Sequence, residues 1–559
     1  MFASHYLLIF NSIGDFMPNY TPLARIKNNI AFARQLVETG DTPEVIGTVS
    51  GSESARVFWQ SILDRACTTL KARAGVSFHE DLPVNQAFGI LLLWQRLRDH
   101  ITDDRGSLVA FVFGEGTRAT PFTETDNAQK PAIATYVATP TADGHRYLSM
   151  VELAMYYRVP VQQYLRRSGF HGLVIQWGDE VQIPSCDLSA IDTTLDTADI
   201  VRFVSIRRMT TEQASEKDWV GVDADGRVTA FIPRRPLAEM AALADRGLLQ
   251  RRGDDLYGGI NLGSIAVSYA LLDALLAEFT TEVNDANANR KQRPDLDPQF
   301  FTALCIAVID NDDKRGAAWQ TARDENEAMA KLHDNMPDIM PRLRRVLEQF
   351  EATNGRKLKM QAMDFGEPFW GDIGQHPQIY KFYTSLNKDS DEGEISRAIA
   401  GLEGIERDAS GNLIVNSDVG AGITVTNSVL INATLTGAGT IANSVMIGTR
   451  ARDITADSAF DVCSTVDDLR LAPRSGTYKV VSSAPVHAGA GERYTTLFMP
   501  TRGTQLIRVD EDTNLRDRAG AYDAVILGNA VSFNDAHIEM GNIGIDELAA
   551  ARAAAERDV

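Results

Sequence analysis

The rhythm of apolar and polar positions changes twice along this chain. Before residue 104, apolar side chains recur at three- and four-residue spacing with charges between them, which predicts helices over Ala55–Arg73 and Asn85–His100. The pattern breaks at Ser107. Leu108-Val109-Ala110-Phe111-Val112-Phe113 is a continuous apolar run of strand length, as expected of a parallel strand covered on both faces. Helical and strand-like stretches then alternate to about residue 390, with helices predicted over Met150–Ser168 and Ala266–Phe279 and strands over Gly172–Trp177 and Val201–Ile206. Such alternation predicts an α/β fold with a Rossmann-like, mainly parallel sheet.

The second change follows Lys388–Asn412, a polar stretch that reads as a linker. Ile423, Val429, Leu435, Ile441 and Ile447 then recur every six residues among Thr, Asn, Ala and Gly. A period of six suits short strands wound into a triangular β-helix of hexapeptide type, each face giving one inward aliphatic residue. The other reading is a Thr/Asn-rich antiparallel domain. The pattern blurs over Ala451–Arg493, which reads as an insertion, and resumes near Val525 and Val531; Asp546–Glu556 predicts a short helix. The expected organisation is a helical N-terminal extension (1–103), an α/β domain (104–402), a β-helix-like domain (412–540) and a C-terminal helix (541–559). The β-helix is expected to serve assembly or stability, apart from any chemistry.

Composition narrows the function. Of 559 residues 44% are hydrophobic and 23% charged, as in a globular protein, and the net charge of -20 disfavours a general nucleic-acid binder. Cys67, Cys186, Cys305 and Cys463 are widely separated, which suggests neither a zinc site nor a disulfide scaffold. The longest apolar run, Ala87–Trp94, is too short to span a bilayer, and Tyr6–Phe10 lacks a basic flank, so a cytoplasmic location with no membrane partner is the expectation.

The strongest chemical signal follows the first buried strand: Gly114-Glu115-Gly116-Thr117-Arg118-Ala119-Thr120-Pro121-Phe122-Thr123, then Lys130-Pro131. Glycines after a strand let backbone N–H groups approach a phosphate, and Arg118 and Lys130 add charge. The same glycines satisfy a dinucleotide fingerprint, but that motif opens directly into a helix, whereas Pro121 and a polar stretch follow here. Further on, Gly178-Asp179 ends an apolar strand, Val220–Phe231 reads as a hairpin with an Asp-Gly turn before Arg234-Arg235-Pro236, and Tyr257–Ser264 includes Gly259 and Asn261. Phe369-Trp370-Gly371-Asp372-Ile373-Gly374-Gln375 follows.

In this order the segments resemble the sugar nucleotidyltransferase (nucleotide-sugar pyrophosphorylase) superfamily, over about residues 108–385, half the chain. The resemblance implies a Mg²⁺-dependent enzyme that joins a nucleoside triphosphate to a sugar-1-phosphate and releases pyrophosphate. It implies nucleotide contacts from Gly114, Glu115, Gly116, Thr117, Arg118 and Gly178, with Arg118 and Lys130 as the catalytic cations. It makes Asp179 and Asp372 the metal ligands and gives Arg235, Gly259 and Asn261 to the sugar phosphate. The repeats resemble the family's left-handed β-helices, through which a homo-oligomer can form. Two departures stand out. Arg234-Arg235-Pro236 replaces a Glu-Lys-Pro motif, removing the sugar-contacting Glu, and the stretch from Lys130 to Asp179 is short for a base-reading segment. Fucose-1-phosphate guanylyltransferases are similarly short there; alternatively, Pro83–Gly89 supplies the base contacts. A non-catalytic paralogue, favoured by Glu115 and Arg234, is one alternative function. A second is an acyl transferase using His487 or His537, and a third a nicotinamide-dependent oxidoreductase.

Overall fold

In a computed structural model of the chain, the described residues are 21–79, 85–102, 105–112, 116–141, 144–284 and 294–559. The first segment alternates α1 (Pro22–Thr39), β1 (Val45–Ser50), α2 (Glu53–Leu70), β2 (Ala74–His79), α3 (Asn85–Leu97) and β3 (Ser107–Phe111). The hairpin β4 (Ala134–Thr141) and β5 (Gly144–Ser149) leads through α4 (Met150–Arg167) to β6 (Gly172–Trp177) and β7 (Glu180–Ile183). Next come β8 (Ile200–Arg208), α5 (Thr211–Glu216), β9 (Trp219–Val222), β10 (Val228–Ile232), α6 (Leu237–Asp245), β11 (Gln250–Arg252) and the long β12 (Asp255–Ser268). A helical layer follows: α7 (Tyr269–Glu278), α8 (Thr280–Asn284), α9 (Phe301–Ala307), α10 (Asp312–Glu325), α11 (Glu327–Asn335) and α12 (Ile339–Asn354). The segment closes with β13 (Met360–Asp364), β14 (Phe369–Asp372), α13 (His376–Thr384) and α14 (Asp391–Ile399).

The main sheet runs β10-β9-β12-β6-β3-β1-β2, with β8 paired to β12 and β13 to β8. Its centre, β2-β1-β3-β6, is parallel, and β12 is antiparallel to β6. The apolar run at β3 is buried on both faces: Val109 and Phe111 pack with α3 and the helical layer, while Leu108, Ala110 and Val112 pack with α2 and α4. Period-two alternation on a two-sided sheet produces this split. The α/β expectation holds, with two corrections. Residues before 104 are not only helical, since β1 and β2 belong to the sheet. Val45–Ser50 is fully buried but contains Gly and Thr, which hid the strand from a hydrophobicity reading. The helix expected from Ala266 begins at Tyr269, because Ala266–Ser268 finishes β12.

Lys388–Asn412 is not a free linker: α14 buries Ile395, Ala398 and Ile399 against a core that includes Ile26 and Ile30 of α1. Beyond it, parallel coils stack at a step of about 16 residues, shown by the pairs Leu413↔Val429, Asp418↔Thr434 and Gly422↔Ala438, tightening to Val445↔Phe460 and widening to Gly476↔Arg493 further on. The first two coils have three short strands each; in the next two, Arg450–Asp457 and Thr465–Leu471 each run through the second and third faces as one strand. The corners recur in the left-handed region at Asn416, Asn432, Gly448, Cys463 and Lys479 and at Asn427, Asn443, Ser458 and Arg474. Asn and Gly tolerate that conformation, which accounts for the polar residues between the aliphatic ones.

The six-residue series is therefore not one column. Ile423, Leu435 and Ile441 point into the solenoid, whereas Val429 and Ile447 point outward to Tyr136, Phe382 and Tyr383. Ala451–Arg493 is not an insertion either; its strands continue the same coils to the pair Gly476↔Arg493. The pattern does not resume at Val525, which is exposed. Val531 instead packs with α15 (Phe533–Met540), which precedes α16 (Ile545–Asp558).

Candidate functional site

The ends of β3 and β6 and the start of the facing segment of β12 lie at one edge of the sheet, where open α/β sheets form a ligand crevice. A cleft of about 640 Å³ opens there. Gly116, Thr117, Arg118, Lys130, Asp179, Asn261 and Asp372, far apart in sequence, all face it. Gly114 and Glu115 lie outside the described residues.

Gly116 adopts φ +64°, and a Cβ there would sit 2.8 Å from Lys130 Cβ, so glycine is required both for its conformation and for the close approach. Arg118 is exposed and has no ion-pair partner among the described residues. Lys130 is nearly buried, and its ammonium pairs with Asp179. Across the cleft Asp372 accepts hydrogen bonds from Gly374 N (2.6 Å) and Gln378 Nε2 (2.7 Å). A Cβ on Gly374 would lie 3.0 Å from Asp372 Oδ1 and 3.2 Å from Lys130 Nζ, which puts lysine and carboxylate in one neighbourhood.

Glu180, which the sequence reading left without a role, completes the acidic side. It stands opposite Asp372 in the β7–β14 register and accepts from Trp370 Nε1 at 2.5 Å. Burial, then the neighbouring Asp179, pushes its carboxyl up to about 8, while burial also raises Asp372. At ordinary pH Glu180 therefore keeps its proton, Asp179 and Asp372 carry the negative charge beside Lys130, and a bound cation would favour ionisation of the cluster. Adjacency to Asp179 was the signal for Glu180. Trp370 is large, exposed and at the cleft wall, and only the β7–β14 pairing brings it there.

Four expected site residues have other surroundings. A Cβ on Gly178 would meet Phe111 O at 3.0 Å, and one on Gly259 would meet Val204 Cβ at 2.7 Å, so both glycines permit tight strand packing. Asn261 reaches the cleft wall, but Oδ1 already accepts from Arg202 (2.6 Å) and Gly263 N (3.0 Å), and Nδ2 donates to Asp297 (3.3 Å). Its amide braces a buried arginine and has little capacity left for a ligand. Arg235 lines two other pockets and faces Glu325 at 3.5 Å.

The loop after Gly116 is held from behind by the C-terminal half. Asp126 accepts from Tyr478 Oη (2.6 Å) and pairs with Lys479. Thr125 bonds Thr495 at 2.6 Å, Asn127 Nδ2 donates to Ile543 O at 2.7 Å, and buried Glu124 meets His537 at 3.1 Å. His376, at the start of α13, donates from Nε2 to Thr120 O at 2.6 Å and packs edge-on to Phe122. Burial holds this imidazole down to about 4, so it is neutral at ordinary pH.

Asp179 and Asp372 offer hard oxygen donors. Among the described residues no group of three or more His, Cys, Asp and Glu side chains is arranged for a metal. Mg²⁺ does not need one, because one or two carboxylates with phosphate and water oxygens suffice, and the donor set fits that ion.

No family model matches the sequence, and no curated protein matches it. Among solved structures the chain is similar to one from Bacillus anthracis, described as a glucose-1-phosphate thymidylyltransferase in complex with a sucrose. The identity is 9%, the match covers 65% of this chain and 97% of that one, and the TM-score is 0.18, too low to carry an argument. Among the described residues no helix is long and apolar enough to cross a membrane.

Proposed function

We propose that this protein is a sugar-1-phosphate nucleotidyltransferase. The observation that carries the reading is the shared cleft: Arg118, Lys130, Asp179 and Asp372 surround one space at the sheet edge, behind a glycine whose side chain would collide with Lys130. An oxygen of the sugar phosphate attacks the α-phosphorus of a nucleoside triphosphate. The bond from that phosphorus to the bridging oxygen breaks, and pyrophosphate leaves with the electron pair. No protein nucleophile is needed, so the residues act by positioning and charge. Lys130 and Arg118 neutralise the departing pyrophosphate, and the start of α13, with Gln375 and Gln378 at the wall, adds the positive end of a helix dipole. The exposed face of Trp370 offers a stacking surface for the base. Asp179 and Asp372 would hold Mg²⁺, which when bound supplies further charge neutralisation at the phosphates.

A pyrophosphate-release screen of common nucleoside triphosphates against a panel of sugar-1-phosphates tests the proposal. Turnover of one pair supports it, and no turnover of any pair sinks it. One observation favours a second reading, a nucleotide-binding paralogue without activity: Arg235 turns to Glu325 and does not line the cleft. Calorimetric nucleotide binding without pyrophosphate release would support that version.

A further inference from the structure

A second cavity lies outside the cleft, between β10 with the segment after it and the helices α9 to α11. It holds about 130 Å³ and is walled by Phe231, Leu243, Leu248, Ile306, Ala322 and Met329. Protein interiors rarely keep an apolar space of this size, because its lining loses contacts and stability. An engineered cavity of about 150 Å³ accommodates benzene, so this one matches a single ring or a short chain.

Its mouth is charged. Arg235 and Arg246 both turn to Glu325, at 3.5 and 3.8 Å, so one carboxylate is shared between two guanidiniums. Neither distance reaches the roughly 2.7–2.9 Å of a charge-assisted hydrogen bond. Arg235 is only 18% exposed, and its buried Nε has no partner among the described residues. An unpaired buried donor at the rim of an apolar hole is costly unless something accepts from it. Glu239 and Glu327 line the adjoining outer groove, which disfavours a polyanion such as a triphosphate.

The geometry points to a binding site for a small monocarboxylate with a compact apolar body, the carboxylate on Arg235 and the body among Phe231, Ile306 and Met329. This site is independent of the nucleotidyltransferase reading. Its test is calorimetry on the full chain with sodium hexanoate and sodium benzoate, and with 1-hexanol as the neutral counterpart. One molecule of at least one carboxylate per chain should bind with a Kd of about 1 mM or tighter. The alcohol, and either carboxylate on Arg235→Gln, should bind at least about tenfold more weakly. Ala322→Leu fills the hole and should abolish binding without lowering Tm; Ala318→Leu, on the same wall, replaces it if that variant does not fold. No saturable binding of either carboxylate up to about 20 mM overturns the inference. So does wild-type affinity in the filled variant, or 1-hexanol binding as tightly as hexanoate.

Discussion

The two sides of the sheet edge are built differently. On one, residues 116–133 form an irregular loop whose buried polar groups find partners in the solenoid and α15: Asp126 with Tyr478 and Lys479, Thr125 with Thr495, Glu124 with His537. On the other, β10, α6 and the helices α9 to α11 line an apolar hole, and Arg235 Nε has no partner among the described residues. The contrast teaches that irregular backbone can be made rigid only where another part of the chain satisfies its polar groups. A site that stabilises charge by preorganised donors needs that rigidity. A surface that accepts a separate ligand does not.

If the comparison is right, the solenoid cannot be removed without harm to the cleft, contrary to the separation expected from the sequence. Leu435 is buried among Ile423, Ile441 and Leu430 inside the coils. Leu435→Asp should cost more than about 5 kcal/mol, because a charge is buried without a partner. Loss of parallel-coil structure should be accompanied by loss of nucleotide binding, read by circular dichroism and calorimetry; binding that survived would detach the two halves.

The next effects concern the cleft alone. Asp372→Asn and Arg118→Ala should each lower pyrophosphate release by about 3–4 kcal/mol of transition-state stabilisation. Exposed Arg118 should leave unfolding free energy within about 0.5 kcal/mol of wild type, separating catalysis from folding. Near-normal rates in both variants would dismiss the assignments.

The brace is sharpened by Lys479→Met, which leaves partly buried Asp126 without its cation and should cost about 3 kcal/mol in urea unfolding. The double variant with Asp126→Asn should lose less than the sum of the two. Strict additivity would mean that the pair does not couple the halves.

A further effect, of similar or smaller size, depends on pH. His376 titrates near 6.5 when unfolded but is held to about 4 in the fold, so the unfolded chain binds the extra proton first as pH falls. Stability should therefore decline from pH 6.5 toward 4, by at most about 3 kcal/mol, and be fully present above that window. His376→Gln keeps a donor for Thr120 without a titrating ring and should flatten the slope; an unchanged slope would remove His376 from the account.

The residue pattern alone determined the buried strand at 107–111, the helix Met150–Arg167, the strand Gly172–Trp177, the hairpin at Val220–Phe231 and the presence of coils after residue 412. These are local matters, since periodicity follows from which faces of one element are covered. The loop with Gly116, Arg118 and Lys130 and the acidic ends at Asp179 and Asp372 were also legible, because each sits where a strand stops. Only the tertiary structure placed Glu180 opposite Asp372, committed Asn261 to Arg202, and turned Arg235 toward Glu325. It also set the coil at about 16 residues and split the aliphatic series between an inner core and an outer interface. A side chain's partners across the fold depend on strand order, register and packing, and spacing along a single chain carries none of these.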